Sequence, residues 1–156
     1  MQNDIVIRQA RLSDVPTLLR HRRGMFMEMG YSSEAAIGAM AETSETFIAR
    51  GLQEGYYWGW VAELPSGQVV AGGGIVITEW PTHPDDPRSS RATIVNMYTE
   101  PEYRRQGIAR HLMRVMIDWC RAGGFRWVSL HASKDGRPLY ESMGFQPTNE
   151  MRLHLS

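Results

Sequence analysis

Hydrophobic and polar residues alternate from Ile5 to Arg11, with Ile5, Ile7 and then Gln9 on one side, the period-two signature of a strand. The period then lengthens. Val15, Leu18, Leu19, Arg22, Met25, Phe26 and Met29 recur at helical spacing behind Ser13 and Asp14, which are good N-caps, and Pro16, which fits a first turn; Gly30 is the stop. Ser32 or Ser33 begins a second helix that runs to about Glu54, with Ile37, Met40, Phe47, Ile48 and Leu52 along one face and Gly51 and Gly55 bracketing its end. Tyr56 to Leu64 and Val69 to Thr78 read as strands joined by the turn Pro65-Ser66-Gly67-Gln68, a hairpin. Gly72, Gly73 and Gly74 are costly inside the second of these and predict a bulge or a close backbone approach.

Trp80 to Ser90 holds three prolines and two aspartates and is a loop. Arg91 to Thr99 is a further strand. Ile108 to Arg121 is amphipathic, with Ile108, Leu112, Val115, Met116 and Trp119 on one stripe and Gly123-Gly124 after it. Trp127 to Ala132 is a strand, Pro138 to Met143 a short helix stopped by Gly144, and Met151 to Leu155 a last strand. The order is βααββ–β–α–β–α–β, an α/β (α+β) arrangement of helices on a mixed sheet in one domain spanning residues 1–156.

Composition narrows the partners. Lys plus Arg and Asp plus Glu both number 17, so there is no general attraction to nucleic acid or to an anionic membrane. No apolar run approaches the span of a membrane helix. The start Met1-Gln2-Asn3-Asp4 lacks the basic and apolar segments of a secretion signal, and one cysteine, Cys120, allows no intrachain disulfide; both suit a cytoplasmic protein. Cys120 reads as a buried structural thiol.

The most informative chemistry lies at Thr99-Glu100-Pro101-Glu102-Tyr103-Arg104-Arg105-Gln106-Gly107-Ile108-Ala109, where a strand ends, a loop turns and a helix begins. The first N–H groups of a helix have no partner inside it, and the helix dipole adds positive potential there, so the turn suits a pyrophosphate. Gly107 lets the backbone approach, Ala109 keeps the path clear, and Arg104 and Arg105 add charge. By itself this is an anion site. It is neither a Walker loop nor a three-glycine dinucleotide fingerprint.

Arg-x-x-Gly-x-Ala after Asn96-Met97-Tyr98-Thr99, followed by an amphipathic helix, resembles motif A of the GCN5-related N-acetyltransferases, and Pro138-Leu139-Tyr140-Glu141-Ser142-Met143-Gly144-Phe145 resembles their motif B. The resemblance implies a mixed, mostly antiparallel sheet with splayed parallel central strands, flanked by about four helices. It implies acetyl-CoA as co-substrate, no metal, and transfer of acetyl to a primary amine by direct attack. The main chain at Met97, Tyr98 and Thr99 would hold the pantetheine and acetyl carbonyl. Arg104, Arg105, Gln106, Gly107, Ile108, Ala109 and Arg110 would hold the pyrophosphate. Tyr140 would protonate the departing thiolate. Ser133 stands where many relatives carry an asparagine that touches the cofactor, so a cofactor contact is expected there with a shorter reach.

The strand Ala92–Tyr98 contains no acid to act as general base. Glu79, Glu28, His83 and His131 are the candidates, and Asn96 would orient water or substrate. The acceptor, a small-molecule or peptide amine, is expected among Met25, Phe26, Met29, Tyr31, Trp58, Trp80 and Tyr98. The basic run Arg20-His21-Arg22-Arg23 is either a solvated face or a seat for a carboxylate-bearing acceptor. Two other functions stay open: an acyl-CoA sensor of the same fold that does no chemistry, and a nucleotide-binding domain. Pairing of the C-terminal strand across a two-fold axis would make a homodimer.

Overall fold

The structure is a computed structural model that describes residues 4–156; the first three residues of the Met1–Asp4 start lie outside it. The chain runs β1 (Val6–Gln9), α1 (Val15–Glu28), α2 (Glu34–Glu54), β2 (Tyr57–Glu63), β3 (Val69–Glu79), β4 (Ser90–Thr99), α3 (Ile108–Ala122), β5 (Val128–Leu130) and α4 (Arg137–Ser142). Five strands form one sheet in sequence order, antiparallel throughout except for the parallel pair β4–β5. No helix among the described residues is long and apolar enough to cross a membrane.

Alternation along the strands assigns the two faces. Tyr57 and Val61 of β2 point to the α1–α2 side, where Val15, Leu18 and Ile48 meet them. Trp60 and Ala62 point to the other side, against Leu112, Met113, Met116 and Cys120 of α3. The predicted α3 stripe is rotated slightly: Met113 and Cys120 are buried, while Val115 and Trp119 flank the core. Helix starts follow their caps. Ser33 accepts a hydrogen bond from the Ala36 N–H at 3.2 Å. Asp14 precedes α1 but turns its carboxylate back to the Arg11 N–H (2.7 Å) and to Arg8 (2.8 and 3.0 Å), locking β1 to the helix start.

Two expectations are corrected. Residues 145–156 form no strand, and Met151, Leu153 and Leu155 are exposed. Their alternation has no neighbour to pair with, and alternation alone does not make a strand. In consequence the parallel pair is not central, because β5 is the edge of the sheet.

Candidate functional site

The pairing of β4 with β5 is confined to Ala92↔Val128, Thr93↔Ser129 and Ile94↔Leu130. Beyond Ile94 the rest of β4 has no strand partner on that side among the described residues, which leaves a wedge of unpaired backbone. The other edge of β4 is irregular at the same level. Gly72 pairs with Tyr98 and Gly74 with Val95, so two residues of β4 oppose one of β3. The extra residue is Asn96, at φ 60°, a left-handed conformation that asparagine tolerates better than most residues. The bulge resets the strand's parity. Val95 and Asn96 both face α1–α2, Met97 faces α3, and Tyr98 returns to the α1 side against Gly24. The glycine run of β3 therefore marks both a bulge and close approaches, with Gly73 beneath Met97 and Gly74 beneath the Tyr57 hydroxyl.

Asn96 is buried and bonded at both ends of its amide. Its Oδ1 accepts from Arg22 Nη1 at 2.7 Å, and its Nδ2 donates to the Tyr57 hydroxyl at 2.9 Å. Arg22 is a donor only, which fixes the amide orientation. Arg22 Nε also donates to Ser44 of α2 at 3.0 Å. These groups line an open cavity of about 370 Å³, closed on its other walls by Phe47, Ile48, Val76 and Val95.

At the far end of β4 the chain enters the expected turn. Arg105 (φ 61°) and Gly107 (φ 81°) both adopt left-handed conformations. Such turns make concave arrays of backbone N–H groups that suit anions. The first helical bond of α3 is His111 N–H to Gly107 carbonyl at 3.0 Å, so the N–H groups of Ile108, Ala109 and Arg110 precede it. A side chain on Gly107 would meet nothing within 4 Å, so the space in front of the turn is open and the glycine is required by its φ. Arg104 folds back from the turn: Nε donates to the Thr99 carbonyl (2.7 Å), and Nη2 reaches both oxygens of Glu28 (2.8 and 2.9 Å). Arg105 is exposed, and Gln106 contacts the Glu102 carbonyl at 3.4 Å. Arg110 crosses to Ser142 at 2.7 Å and so ties the first turn of α3 to the last of α4. On α4, Tyr140 is half-buried with Phe145 edge-on at 6.0 Å; burial raises its pKa and keeps the phenol protonated at neutral pH. Ser133 Oγ accepts from the Gly136 N–H at 3.1 Å, holding the turn that leads into α4.

The sequence model of the acetyltransferase (GNAT) family matches residues 25–145. The chain belongs to this family. The chain is 32% identical over 96 residues to N-acetyltransferase 8 of Homo sapiens, covering 58% of itself and 39% of the human protein. It spans about two fifths of the length of the human relatives it matches. A GCN5-related N-acetyltransferase from Ralstonia eutropha superposes with a TM-score of 0.90 at 34% identity, with 97% of this chain and 98% of that one covered. A protein of Clostridium acetobutylicum, described as a predicted acetyltransferase and solved with acetyl-CoA, gives 0.87 at 27% identity over 97% and 96%.

Asn96, Met97, Tyr98 and Thr99 lie along the wedge edge of β4, the 104–110 segment follows in the turn, and Arg110 links that segment to α4, which carries Tyr140. Two of the base candidates lie away from this group. Glu79 is exposed and pairs with Ser90, six residues along β4 from Asn96, roughly 20 Å at strand rise. Antiparallel pairing sends the end of β3 to the start of β4, away from the wedge. His83 sits in the 80–89 loop beside Trp127. His131 follows Leu130, the last β5 residue paired with β4, and so stands at the mouth of the wedge, exposed and 3.7 Å from Glu150. Glu28 reaches the wedge from the α1 side, with the Tyr98 hydroxyl donating to it at 3.3 Å. The predicted acceptor lining is also corrected. Trp58 lies on the opposite sheet face against Trp119, and Trp80 is stacked under Arg91. The cavity uses Arg22, Ser44 and Tyr57 instead, of which sequence patterning did not single out Ser44 and Tyr57, because their proximity depends on how α2 packs. Arg22 did stand on the predicted inward stripe of α1, and that was its signal.

Proposed function

We propose that the chain transfers the acetyl group of acetyl-CoA to an amine. The observation that carries this reading is the end of β4–β5 pairing at Ile94↔Leu130, followed by a left-handed bulge and, a short turn later, a helix N-terminus with open N–H groups. Acetyl-CoA supplies an activated acyl thioester. The residues present fit it. Main chain from Met97 to Thr99, open on its β5 side apart from the Thr99 carbonyl that Arg104 engages, offers donors and acceptors for the pantetheine, and the N–H groups at the start of α3 suit the pyrophosphate. Arg105 adds charge at the rim. Arg104 keeps the turn in shape through Thr99 and Glu28 and leaves the phosphate contact to backbone.

The balance is simple. The amine nitrogen bonds to the acetyl carbon, the carbon–sulfur bond breaks, and the two protons lost from the ammonium are made up on one side by water and on the other by the protonated sulfur. Tyr140 gives the proton to sulfur; a phenol is protonated at neutral pH, and burial shifts this one further that way. Glu28, through water, collects a proton from the ammonium. Ser133 acts by holding the turn before α4 and thus Tyr140.

The test is thiol release from acetyl-CoA against an amine panel. Tyr140→Phe should lower kcat by about 100-fold with little change in the KM for acetyl-CoA. If CoA release never exceeds background with any amine while acetyl-CoA binds, the transferase reading fails and a non-catalytic binding domain takes its place.

A further inference from the structure

The basic run on α1 divides by environment. Arg20 reaches Glu100 at 3.3 Å, His21 is buried, and Arg23 is exposed. Arg22 turns into the cavity. Arg8, Arg104, Arg121 and Arg137 each meet a carboxylate. Arg22 is half-buried, yet its bonded neighbours are neutral: the Ser44 hydroxyl and the Asn96 amide oxygen, with the Phe26 ring 4.9 Å from the guanidinium carbon. Among the described residues no carboxylate lies within ion-pair distance of it. A guanidinium carries its charge at any physiological pH, and withdrawing it from water without a counter-ion is unfavourable. Burial accordingly pulls its pKa down. Two of its five N–H groups are engaged by Ser44 and Asn96. The rest of the fork matches the geometry of a carboxylate.

Position adds a distance constraint. Asn96 is both the hydrogen-bond partner of Arg22 and the bulge residue that opens the wedge. An anion on Arg22 is thus within a few bonds of the unpaired main chain where the acyl group is to be presented. The remaining cavity wall, Phe47, Ile48, Val76 and Val95 with Thr43, is mostly apolar.

Resting on the transferase reading above, we propose that the acceptor is an α-amino acid or a close analogue, its carboxylate seated on Arg22, its amine directed to the β4 bulge and its side chain against the apolar wall. A peptide N-terminus lacks a carboxylate at that spacing and fits less well.

The experiment compares each common L-α-amino acid with its own primary amide, by thermal stabilisation and by CoA release from acetyl-CoA. The best free acid should exceed its amide in kcat/KM by about 30-fold or more, the range for a desolvated charge pair. Arg22→Met should abolish the preference while acetyl-CoA still stabilises the protein. Ser44→Asp, which offers Arg22 an internal counter-ion beside Nε, should do the same without removing the cation and guards against a misfolded Arg22 variant. Equal performance of acids and amides, or a preference that survives both substitutions, overturns the proposal. Stabilisation by an acid, lost in both variants, with no CoA release from any amine, supports the carboxylate site and sinks only the transferase reading.

Discussion

His21 is 1% exposed, and neither ring nitrogen is hydrogen-bonded among the described residues. Burial pulls its pKa from 6.5 to about 4, against an opposing pull from Glu100, whose Oε1 is 3.5 Å from Nε2; Arg20 adds to the lowering. The ring stands 5.2 Å from that of Tyr98, and the absence of a side chain at Gly72 makes room for it. Since the folded pKa is lower than the unfolded one, the unfolded chain binds more protons between them. Stability is complete above pH 6.5 and falls as the pH drops toward 4, by about 3 kcal/mol over the whole window. Urea denaturation of wild type and His21→Leu between pH 7.5 and 5 reads this: the wild-type loss should be largely absent from the variant, and parallel curves would refute the assignment. Cys120 makes a second residue-scale case. Burial pushes its thiol up to about 11, so labelling by a thiol reagent at pH 7.5 should proceed only as fast as the protein opens. Labelling in native buffer as fast as that of an unfolded control would contradict the packing of α3.

The β4 bulge separates what side-chain patterning reveals from what it hides. Helices and strands with a clean period were legible to within about two residues, as α3 and the β2–β3 hairpin illustrate. Patterning failed where one residue changes parity. With Asn96 inserted, Val95 and Asn96 share a face, and no alternation along Arg91–Thr99 announces it; only the three glycines opposite gave a hint. The same kind of limit applies to Glu79, whose distance from the wedge follows from strand direction, and to Met151–Leu155, whose alternation lacks a neighbour. The left-handed turn before α3 and the short helix that carries Tyr140 were legible because each is marked by consecutive residues. The cavity was not, because Arg22, Ser44 and Asn96 come from three elements. The bulge can be tested on its own terms. Asn96→Ala loses both amide bonds and must also hold an alanine in a left-handed conformation, whereas Asn96→Gly loses the bonds alone. Both should be destabilised by about 2 kcal/mol for the unpaired Arg22 and Tyr57 groups, and alanine by about 1 kcal/mol more. Alanine and glycine variants of equal stability in urea would mean that the left-handed φ at this position carries no cost.

For the molecule as a whole, the wedge leaves backbone groups on one edge of β4 and at the start of α3 open to a ligand. A molecule of acetyl-CoA lying from Met97 to Arg110 would join β4 to α3, and the Arg110–Ser142 contact would extend the effect to α4. Ligand at 100 times its Kd stabilises by about 2.7 kcal/mol, which for a chain of this size is a rise in Tm of about 5–10 °C. ATP and NAD, which share the pyrophosphate but not the pantetheine, should give less. Gly107→Ala separates the contribution of the turn. It forces a side chain into a left-handed φ with nothing around it to clash, so the unliganded protein should lose about 1 kcal/mol through the backbone alone. If the turn relaxes to relieve that strain, its N–H groups lose their convergence, and the Tm rise with acetyl-CoA should shrink by more than the unliganded loss explains. Hydrogen exchange locates the effect. Acetyl-CoA should slow exchange from 95 to 110 and in α4, with β1 and α2 unchanged. Protection spread evenly over the chain, or confined to α2, would place the ligand somewhere other than the wedge.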